Sequence, residues 1–352
     1  MSLTRRSFLA GAGAAAVTLP AAQRPAVKIG VELGCISAAK MTPYQYLDFL
    51  AGIGVQVAQF SAPTLGVNPA NPDEAAINRI RDYATKLGIS TPAISGRSIC
   101  PTSSRFEPKL GTAEQQITQG LKIARILGAT AMRVVVGGAE ERAQIETHMA
   151  STARVLKGMR SQIRDSGVKI AMENHGGDFQ ARELKALVED AGSDILGVCL
   201  DSGNPLWMLE DPHLTLELLG PLAVNSHLRD TAIWRVPEGV AVQWVNMGEG
   251  NVDIDGWIKK LVRMQPGVPV TIENIVSAQP RVIRVFDAAT YRDYPKMPAS
   301  ELGRYLALAE RGKPAPPAAP SPGKSRGQQV CDDLAVSVRY TKKLLAGGGF
   351  AA

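Results

Sequence analysis

Residues 168–173 read Val-Lys-Ile-Ala-Met-Glu, a mostly apolar run that stops on the carboxylate of Glu173. Three later apolar runs stop in the same way, on Asp201, His227 and Glu273. Runs of about six residues with little polar alternation are typical of strands that are buried on both faces. Since the equivalent ends of parallel strands meet at one edge of a sheet, we expect these four side chains to converge.

The rest of the chain repeats this pattern of apolar runs separated by amphipathic segments. The eight runs are 27–33, 55–60, 89–95, 131–136, 168–173, 195–200, 222–228 and 268–273. The helical segments among them are 43–51, 73–87, 112–127, 141–166, 181–190 and 255–264. This alternation predicts the α/β class, as a single-domain (β/α)₈ TIM barrel with a C-terminal helical extension. A doubly wound sheet is the alternative, but no GxGxxG motif follows the first run.

Charge is unevenly distributed along the 352 residues. The formal net charge of +6 arises at the two ends, because residues 24–310 hold 30 basic and 31 acidic side chains. Bulk charge therefore gives no indication of a nucleic-acid-binding face. The four cysteines form no CxxC pair, so the sequence gives no support for a cysteine zinc site or a thioredoxin-like motif.

The ends of the chain differ in composition from the middle. Residues 1–23 combine Arg5-Arg6 with a short apolar stretch and resemble a twin-arginine export signal, so we expect export to the periplasm. We assign 24–312 to the barrel, 313–327 to a Pro-rich linker, and 328–352 to a C-terminal helix and tail. The apolar part of the signal is too short for a stable membrane anchor.

The four strand ends together predict a metal centre. Three carboxylates and one imidazole at one barrel mouth would repel or crowd one another without a cation between them. Oxygen ligands with one nitrogen suit Mn²⁺, Mg²⁺ or Co²⁺ best, with Zn²⁺ or Fe²⁺ as alternatives. We therefore expect one divalent metal ion, held by Glu173, Asp201, His227 and Glu273.

Over most of residues 27–312 the sequence resembles the xylose isomerase-like TIM-barrel superfamily, in particular its sugar phosphate isomerase/epimerase-type proteins. The motifs that carry the resemblance are Glu173-Asn174-His175, Leu200-Asp201-Ser202-Gly203-Asn204-Pro205, His227-Leu228-Arg229-Asp230, Gly248-Glu249-Gly250-Asn251-Val252-Asp253 and Glu273-Asn274. The resemblance implies that Glu173, Asp201, His227 and Glu273 bind a divalent metal. It also implies that the two glutamates shuttle a proton, as in ketose 3-epimerases. Those enzymes usually have a histidine where this chain has Asn204.

Five further residues are candidates for the site. His175 is predicted to bind a substrate hydroxyl or to act as an acid or base, with a packed structural histidine as the alternative. Arg229 is predicted to hold a substrate oxyanion or the metal-binding aspartate, with an ion pair to a neighbouring acid as the alternative. Glu249 is predicted to orient Arg229 or His227. Asn204 and Trp234 complete the predicted substrate-binding set.

The predicted reaction is metal-assisted proton transfer on a polyhydroxy carbonyl compound through an enediolate, which makes the chain an isomerase or epimerase. Catalysis is assigned to Glu173, Glu273, His175 and Arg229. A lyase or dehydratase acting on an inosose or a 3-keto-glycoside is the first alternative, and a non-catalytic sugar-binding barrel is the second. The expected partner is a small sugar or sugar derivative, without nucleic acid or stable membrane anchoring. The sequence is also compatible with a homo-oligomer. Substrate specificity is assigned to the loops 231–252 and 276–299.

Overall fold

Eight parallel strands form the centre of the computed structural model, which describes residues 27–315 and 321–350. In chain order they are β1 (Ile29–Glu32), β2 (Val57–Ser61), β3 (Ala93–Ser98), β4 (Ala131–Val135), β5 (Lys169–Glu173), β6 (Leu196–Asp201), β7 (Ala223–His227) and β10 (Val270–Ile272). Neighbours in the sheet follow the order β10-β1-β2-β3-β4-β5-β6-β7, so consecutive βα units lie side by side. All eight predicted strands are therefore confirmed.

The last gap in the ring lies between β7 and β10. A parallel bridge joins Leu228 to Ile272, where the Leu228 amide donates to the Thr271 carbonyl at 2.7 Å. The Ser226 hydroxyl adds a side-chain link: it donates to the Pro269 carbonyl at 2.6 Å and accepts from the Thr271 amide at 3.2 Å. These contacts close the sheet into the predicted (β/α)₈ barrel.

Helices connect the strands and cover the barrel. They are α1 (Pro43–Gly52), α2 (Ala62–Leu65), α3 (Glu74–Lys86), α4 (Ala113–Leu127), α5 (Ile145–Gly158), α6 (Arg160–Ser166), α7 (Ala181–Ala191), α8 (Pro212–Leu219), α9 (Ile254–Met264), α10 (Ala299–Arg311) and α11 (Arg326–Gly347). The prediction of one helix over 141–166 is wrong. The backbone leaves helical geometry at Met159 (φ −99°, ψ 6°), directly after Gly158, whose lack of a Cβ weakens helix propensity.

The two faces of the strands differ in polarity. Side chains on the outer face, such as Met132 and Ile170, join the large apolar cluster between sheet and helices. The inner face carries a separate small cluster of Ala93, Ala131, Ala171 and Cys199. Because side chains alternate along a strand, residues two positions further on from these alanines point into the barrel at its C-terminal end. The small inner layer thus leaves room for large polar groups above it.

A three-stranded antiparallel sheet lies beside the barrel mouth. It consists of β8 (Asp230–Val236), β9 (Gly239–Val245) and β11 (Arg281–Ile283), in the order β11-β9-β8. Most of the 231–252 segment, which the sequence assigns to substrate specificity as a loop, is therefore a β-hairpin, and the 276–299 segment adds the third strand. In the hairpin Trp234 pairs with Ala241, whereas Trp244 pairs with Thr231, which places the two indoles on opposite faces.

The C-terminal helix α11 packs against the mouth side of the barrel. Its Ser337 hydroxyl donates to the Asn274 side chain at 2.9 Å, and Tyr340 donates to Asp255 at 2.7 Å. Residues 1–26, which include the predicted export signal, and 316–320 of the predicted linker lie outside the described residues. Within the described residues, no helix is both long and apolar enough to cross a membrane.

Candidate metal centre

The four predicted ligands meet at the C-terminal mouth of the barrel. One ligand atom from each of Glu173, Asp201, His227 and Glu273 lies within 4.8 Å of the other three. The first three residues are fully buried, and Glu273 is 8% exposed. Four ionisable groups this close in a site without bulk water need compensating charge, so the cluster can hold a cation.

Strand register explains why these residues meet. Asp201 and His227 are direct partners across β6 and β7, and Glu173 is the partner of Cys199, two residues before Asp201. Glu273 follows β10 directly, and its amide donates to the Leu228 carbonyl, one residue after His227. The parallel register therefore brings four neighbouring strand ends to the same end of the barrel.

Glu173 is held by two other side chains. Arg133 on β4 donates a short hydrogen bond to one carboxylate oxygen, and Asn204 donates to the other at 3.0 Å. Burial alone would raise the pKa of Glu173, but the charges of Arg133 and His227 outweigh it and hold the pKa well below the usual range. Glu173 is therefore an ionised carboxylate.

Arg229 links two of the other acids. Its Nε donates to Asp201 at 2.9 Å, and its Nη2 lies 2.6 Å from a Glu273 oxygen. Burial tends to raise the pKa of Glu273, yet Arg229 and His227 lower it to about 2. Burial raises the pKa of Asp201 to about 6. The charges of Glu173 and Glu273 contribute to this rise, and the positive charge of Arg229 opposes it. Of the two predicted roles for Arg229, the geometry matches the one in which it holds the metal-binding aspartate.

His227 provides the test of whether a metal fits. Its Nδ1 lies 2.8 Å from Glu273 Oε2 and 3.6 Å from Glu173 Oε2. Both His227 Nδ1 and Glu273 Oε2 are buried atoms that form no hydrogen bond of normal geometry among the described residues, although each lies within ion-pair distance of a charged neighbour. A buried imidazole nitrogen and a carboxylate oxygen that point at one spot, beside two more carboxylates, form a donor set that suits a divalent cation.

Three polar residues of the barrel interior were not predicted. Arg133 contacts Glu173, Gln59 contacts His227 Nε2 at 2.9 Å, and Glu32 accepts from Ser95 at 3.0 Å. Burial and the charge of Glu273 raise the pKa of Glu32. A signal was present in the sequence, since all three interrupt runs that are otherwise buried on both faces.

His175 lies just beyond Glu173 and is the more exposed of the two. Its side chain is 21% exposed, and its Nδ1 faces the buried carboxylate of Asp178 at 3.8 Å. The other Asp178 oxygen accepts from the Val136 amide at 2.9 Å, which fixes the carboxylate. This arrangement lets His175 present an imidazole at the mouth with an acid behind it.

Two predicted substrate residues lie elsewhere. Glu249 is exposed, and its carboxylate accepts from Asn246 at 3.2 Å, not from Arg229 or His227. Trp234 packs in a small apolar cluster with Ala232, on the outer face of the hairpin. The indole at the site is that of Trp244, because the alternation of side chains along β9 turns it towards Arg229, whose Cζ lies 4.3 Å from the ring centroid.

Comparisons with known proteins match this architecture. The chain is 26% identical over 186 residues to 3-oxo-isoapionate decarboxylase of Pectobacterium atrosepticum, a match that covers 51% of this chain and 66% of the relative, just under two thirds of its length. L-ribulose 3-epimerase superposes with a TM-score of 0.60 at 16% identity, covering 92% of this chain and 95% of that one. A TIM-barrel protein of Mycobacterium smegmatis in complex with magnesium superposes with a TM-score of 0.57 at 13% identity, covering 83% and 98%.

At such identities the superpositions establish the fold alone. The family assignment comes from the sequence, because the model of the xylose isomerase-like TIM barrel family matches residues 47–287, well over half of the chain. That span includes every member of the quartet. The chain therefore belongs to the xylose isomerase-like TIM barrel family.

Proposed function

We propose that this chain is a divalent-metal-dependent isomerase or epimerase that moves a proton on a polyhydroxy carbonyl compound, a sugar or sugar derivative. The observation that carries the proposal is the buried quartet, in which one ligand atom from each of four residues lies within 4.8 Å of the other three. A cation held there would polarise a substrate carbonyl and stabilise the negative charge that develops on its oxygen.

The protein's own residues supply the proton transfers. Glu173 and Glu273 stand at the two ends of the row of four strands, with His227 between them. One carboxylate removes the proton from the carbon beside the carbonyl, and the other returns a proton from the opposite side. His175, supported by Asp178, exchanges protons with the substrate oxygens at the open side of the mouth. Asn204 and Arg229 position the two glutamates.

A lyase that forms the same enediolate is the second candidate, and a specific observation favours it. Each glutamate is paired with an arginine, and a low pKa makes a carboxylate a weak base. Loss of CO₂ from a 3-oxo acid leaves the electrons of the broken C–C bond on the carbon beside the carbonyl, so it forms the enediolate without removal of a proton by these bases. The relative from Pectobacterium atrosepticum carries the name of a decarboxylase.

Isotope exchange separates the candidates. The protein is loaded with Mn²⁺ and incubated in D₂O with aldoses, ketoses, 3-keto-glycosides and 3-oxo sugar acids. Deuterium at the carbon beside the carbonyl, with the carbon skeleton intact, supports the isomerase or epimerase. Release of CO₂, water or an aglycone supports the lyase. A protein that binds no metal and shows neither deuterium exchange nor product release would refute both enzymatic candidates.

A matched pair of variants assigns the chemistry to the site. Glu173→Gln is expected to abolish the exchange, because the amide neither carries the charge nor accepts the proton. Glu189→Gln changes an exposed glutamate of α7 and is expected to behave as wild type. Equal activity of the two variants would remove Glu173 from the mechanism.

A further inference from the structure

A second cavity lies at the rim of the mouth, formed by the β11 strand and the segment that follows it. Its volume is about 270 Å³, and its wall includes Arg142, Arg281, Arg284, Asp293, Trp207 and Tyr294. Three guanidinium groups thus face one carboxylate. The metal quartet has the opposite balance, with three carboxylates among its four ligands.

The cavity is connected to the metal centre through packed side chains. Arg281 lies over the ring of Trp207 at 4.9 Å, and Trp207 stacks on Trp244 at 4.1 Å with an interplanar angle of 5°. The guanidinium of Arg229 lies over the Trp244 ring and forms an ion pair with Glu273. On the other side Trp207 packs against Gly176, which follows His175. Trp244 and Arg229 therefore lie between Trp207 and the quartet, whereas on the His175 side Gly177, two residues after His175, itself lines the cavity.

Unpaired donors point to an anionic occupant. Within the described residues, the guanidinium groups of Arg281 and Arg284 have no hydrogen-bond or ion-pair acceptor. Arg142 is only 4% exposed, and although Glu183 binds its two terminal nitrogens at 2.6 Å, its Nε is buried without a partner. The Nε1 of Trp207 is also buried without a partner. Arg281 and Arg284 are exposed and available to a ligand, whereas the buried donors Arg142 Nε and Trp207 Nε1 are of a kind that is normally paired, so they call for an acceptor.

The walls of the cavity are held in place before any ligand arrives. β11 pairs with β9 over three residues, which fixes Arg281 on the same face of the sheet as Trp244. Tyr291 donates to the Val285 carbonyl at 2.6 Å, and Arg142 lies over the Tyr294 ring at 4.7 Å. Guanidinium groups fixed in this way lose little freedom when they bind an oxyanion.

We propose that Arg281, Arg284 and Arg142 form a subsite for an anionic oxyacid group, so that the substrate of the adjacent metal centre is an acidic sugar derivative. This inference rests on the proposed function, because it concerns the substrate of the same mouth. A carboxylate and a phosphate share the required chemistry: a planar or tetrahedral set of oxygens that accepts forked N–H donors. On this proposal the substrate passes Trp207 on the side of His175 and Gly177, with its reacting carbonyl towards the quartet and its anionic group in the cavity.

Calorimetric titration of metal-free protein tests the subsite without catalysis. D-glucuronate, D-glucose 6-phosphate and D-glucose serve as probes at low ionic strength. We expect one or both anions to bind about tenfold more tightly than glucose, a gain typical of hydrogen bonds to charged groups, and to lose that gain at high ionic strength. Preference for glucuronate identifies a carboxylate subsite, and preference for glucose 6-phosphate identifies a phosphate subsite. Equal binding of all three probes would overturn the inference.

Matched variants locate the binding. Arg281→Gln and Arg284→Gln are each expected to weaken binding of the preferred anion about tenfold. Arg292→Gln changes an exposed arginine in the same segment and is expected to bind as wild type, and an equal loss in this variant would overturn the inference. Failure of the proposed function has a different signature. Wild-type protein would then show no D₂O exchange and no bound Mn²⁺, while anion binding and its loss in Arg281→Gln persist.

Discussion

Buried carboxylates occur in two regions of the molecule and differ in what faces them. At the barrel mouth, Glu173 and Glu273 each contact an arginine, and their pKa values are lowered. Beside the mouth, Glu210 before α8 and Asp230 at the start of β8 accept hydrogen bonds from backbone amides, with the Thr215 hydroxyl as a further donor to Glu210. Burial raises the pKa of Glu210 to about 7 and that of Asp230 to about 6.

This difference shows that burial alone does not identify a metal centre. Glu210 spans the start of α7 and the Thr215 side chain, so its acceptor capacity is used to join two helices. Glu173 and Glu273 keep their charge because cations surround them, and with His227 they direct it at one point. Asp201 has the same pKa of about 6 as Asp230, so the mouth is distinguished by the convergence of its ligand atoms within 4.8 Å and not by the pKa of each acid.

The largest expected effect comes from removing a ligand at the mouth. Asp201→Ala should lose bound metal, and activity should fall on the order of a thousandfold, because several kcal/mol of charge stabilisation disappear. Metal analysis of the purified protein measures the first effect and D₂O exchange the second. Asp165→Ala, an exposed aspartate of α6, is the control. Unchanged metal content in Asp201→Ala would show that the quartet is not the metal site.

Removal of a counter-cation should cost stability. Arg133→Met leaves the charge of Glu173 buried and unpaired, which should lower the free energy of unfolding of the metal-free protein by roughly 3–5 kcal/mol. Bound Mn²⁺ supplies the missing positive charge, so the loss should shrink in the metal-loaded protein. Denaturant unfolding with and without Mn²⁺ measures both values. Arg125→Met, an exposed arginine of α4, is the control.

A loss of equal size in the two metal states would contradict this account. It would mean that Arg133 contributes packing rather than charge. The quartet and the arginine would then be energetically independent, although they touch.

The sequence predicted the quartet because strand ends are visible in it. An apolar run that stops on a polar residue identifies both the strand and the edge at which the side chain lies, as for Asp201 and Glu273. Arg133 and Gln59 occupy the interior of such runs. Their role depends on which face of the strand points into the barrel, and strands buried on both faces lack the alternation that would reveal it.

Residues outside the barrel strands were harder to predict. Trp234 and Trp244 both lie in a hairpin with apolar residues on both faces, and only the register of β8 and β9 decides which indole reaches Arg229. The helix breaks at Met159, directly after Gly158. One residue of low helix propensity inside an amphipathic pattern does not show whether the helix continues through it. Local pattern does not contain the tertiary contacts that settle these choices.

Glu210 allows a test of the opposite case, a buried carboxylate that is held by backbone and hydroxyl donors. Its folded pKa of about 7 lies above the usual 4.5, so the folded state binds more protons than the unfolded state between these values. Stability conferred by the neutral form is present below pH 4.5 and is lost as pH rises to about 7, by roughly 3 kcal/mol. Glu210→Gln should remove this decline, since an amide stays neutral. Denaturant unfolding from pH 5 to pH 8 measures the slope, and parallel slopes in wild type and variant would contradict the prediction.

The smallest expected effect concerns the support of a ligand. His227 can bind a metal through Nδ1 only when Nε2 holds the proton. In the structure the amide nitrogen of Gln59 lies 2.9 Å from Nε2, so the amide must turn over to present its oxygen to the ring when a metal binds. Asn225 and Ser95 hold the other positions of that amide. Gln59 therefore contacts the nitrogen whose protonation decides the tautomer, and it orients the imidazole.

Gln59→Leu should weaken Mn²⁺ binding about 10–100-fold without removing a ligand. Gln59→Glu should bind more tightly than the leucine variant, because a carboxylate always accepts from Nε2–H and so favours the metal-binding tautomer. Exposed Gln162→Leu is the control, and competition with a chelator measures each affinity. Equal affinities of the leucine and glutamate variants would mean that Gln59 acts by filling space. Mn²⁺ affinities that decrease from wild type to the glutamate variant to the leucine variant would show that the metal ligands depend on correctly oriented hydrogen-bond partners. Glu210 and its loop have no such requirement.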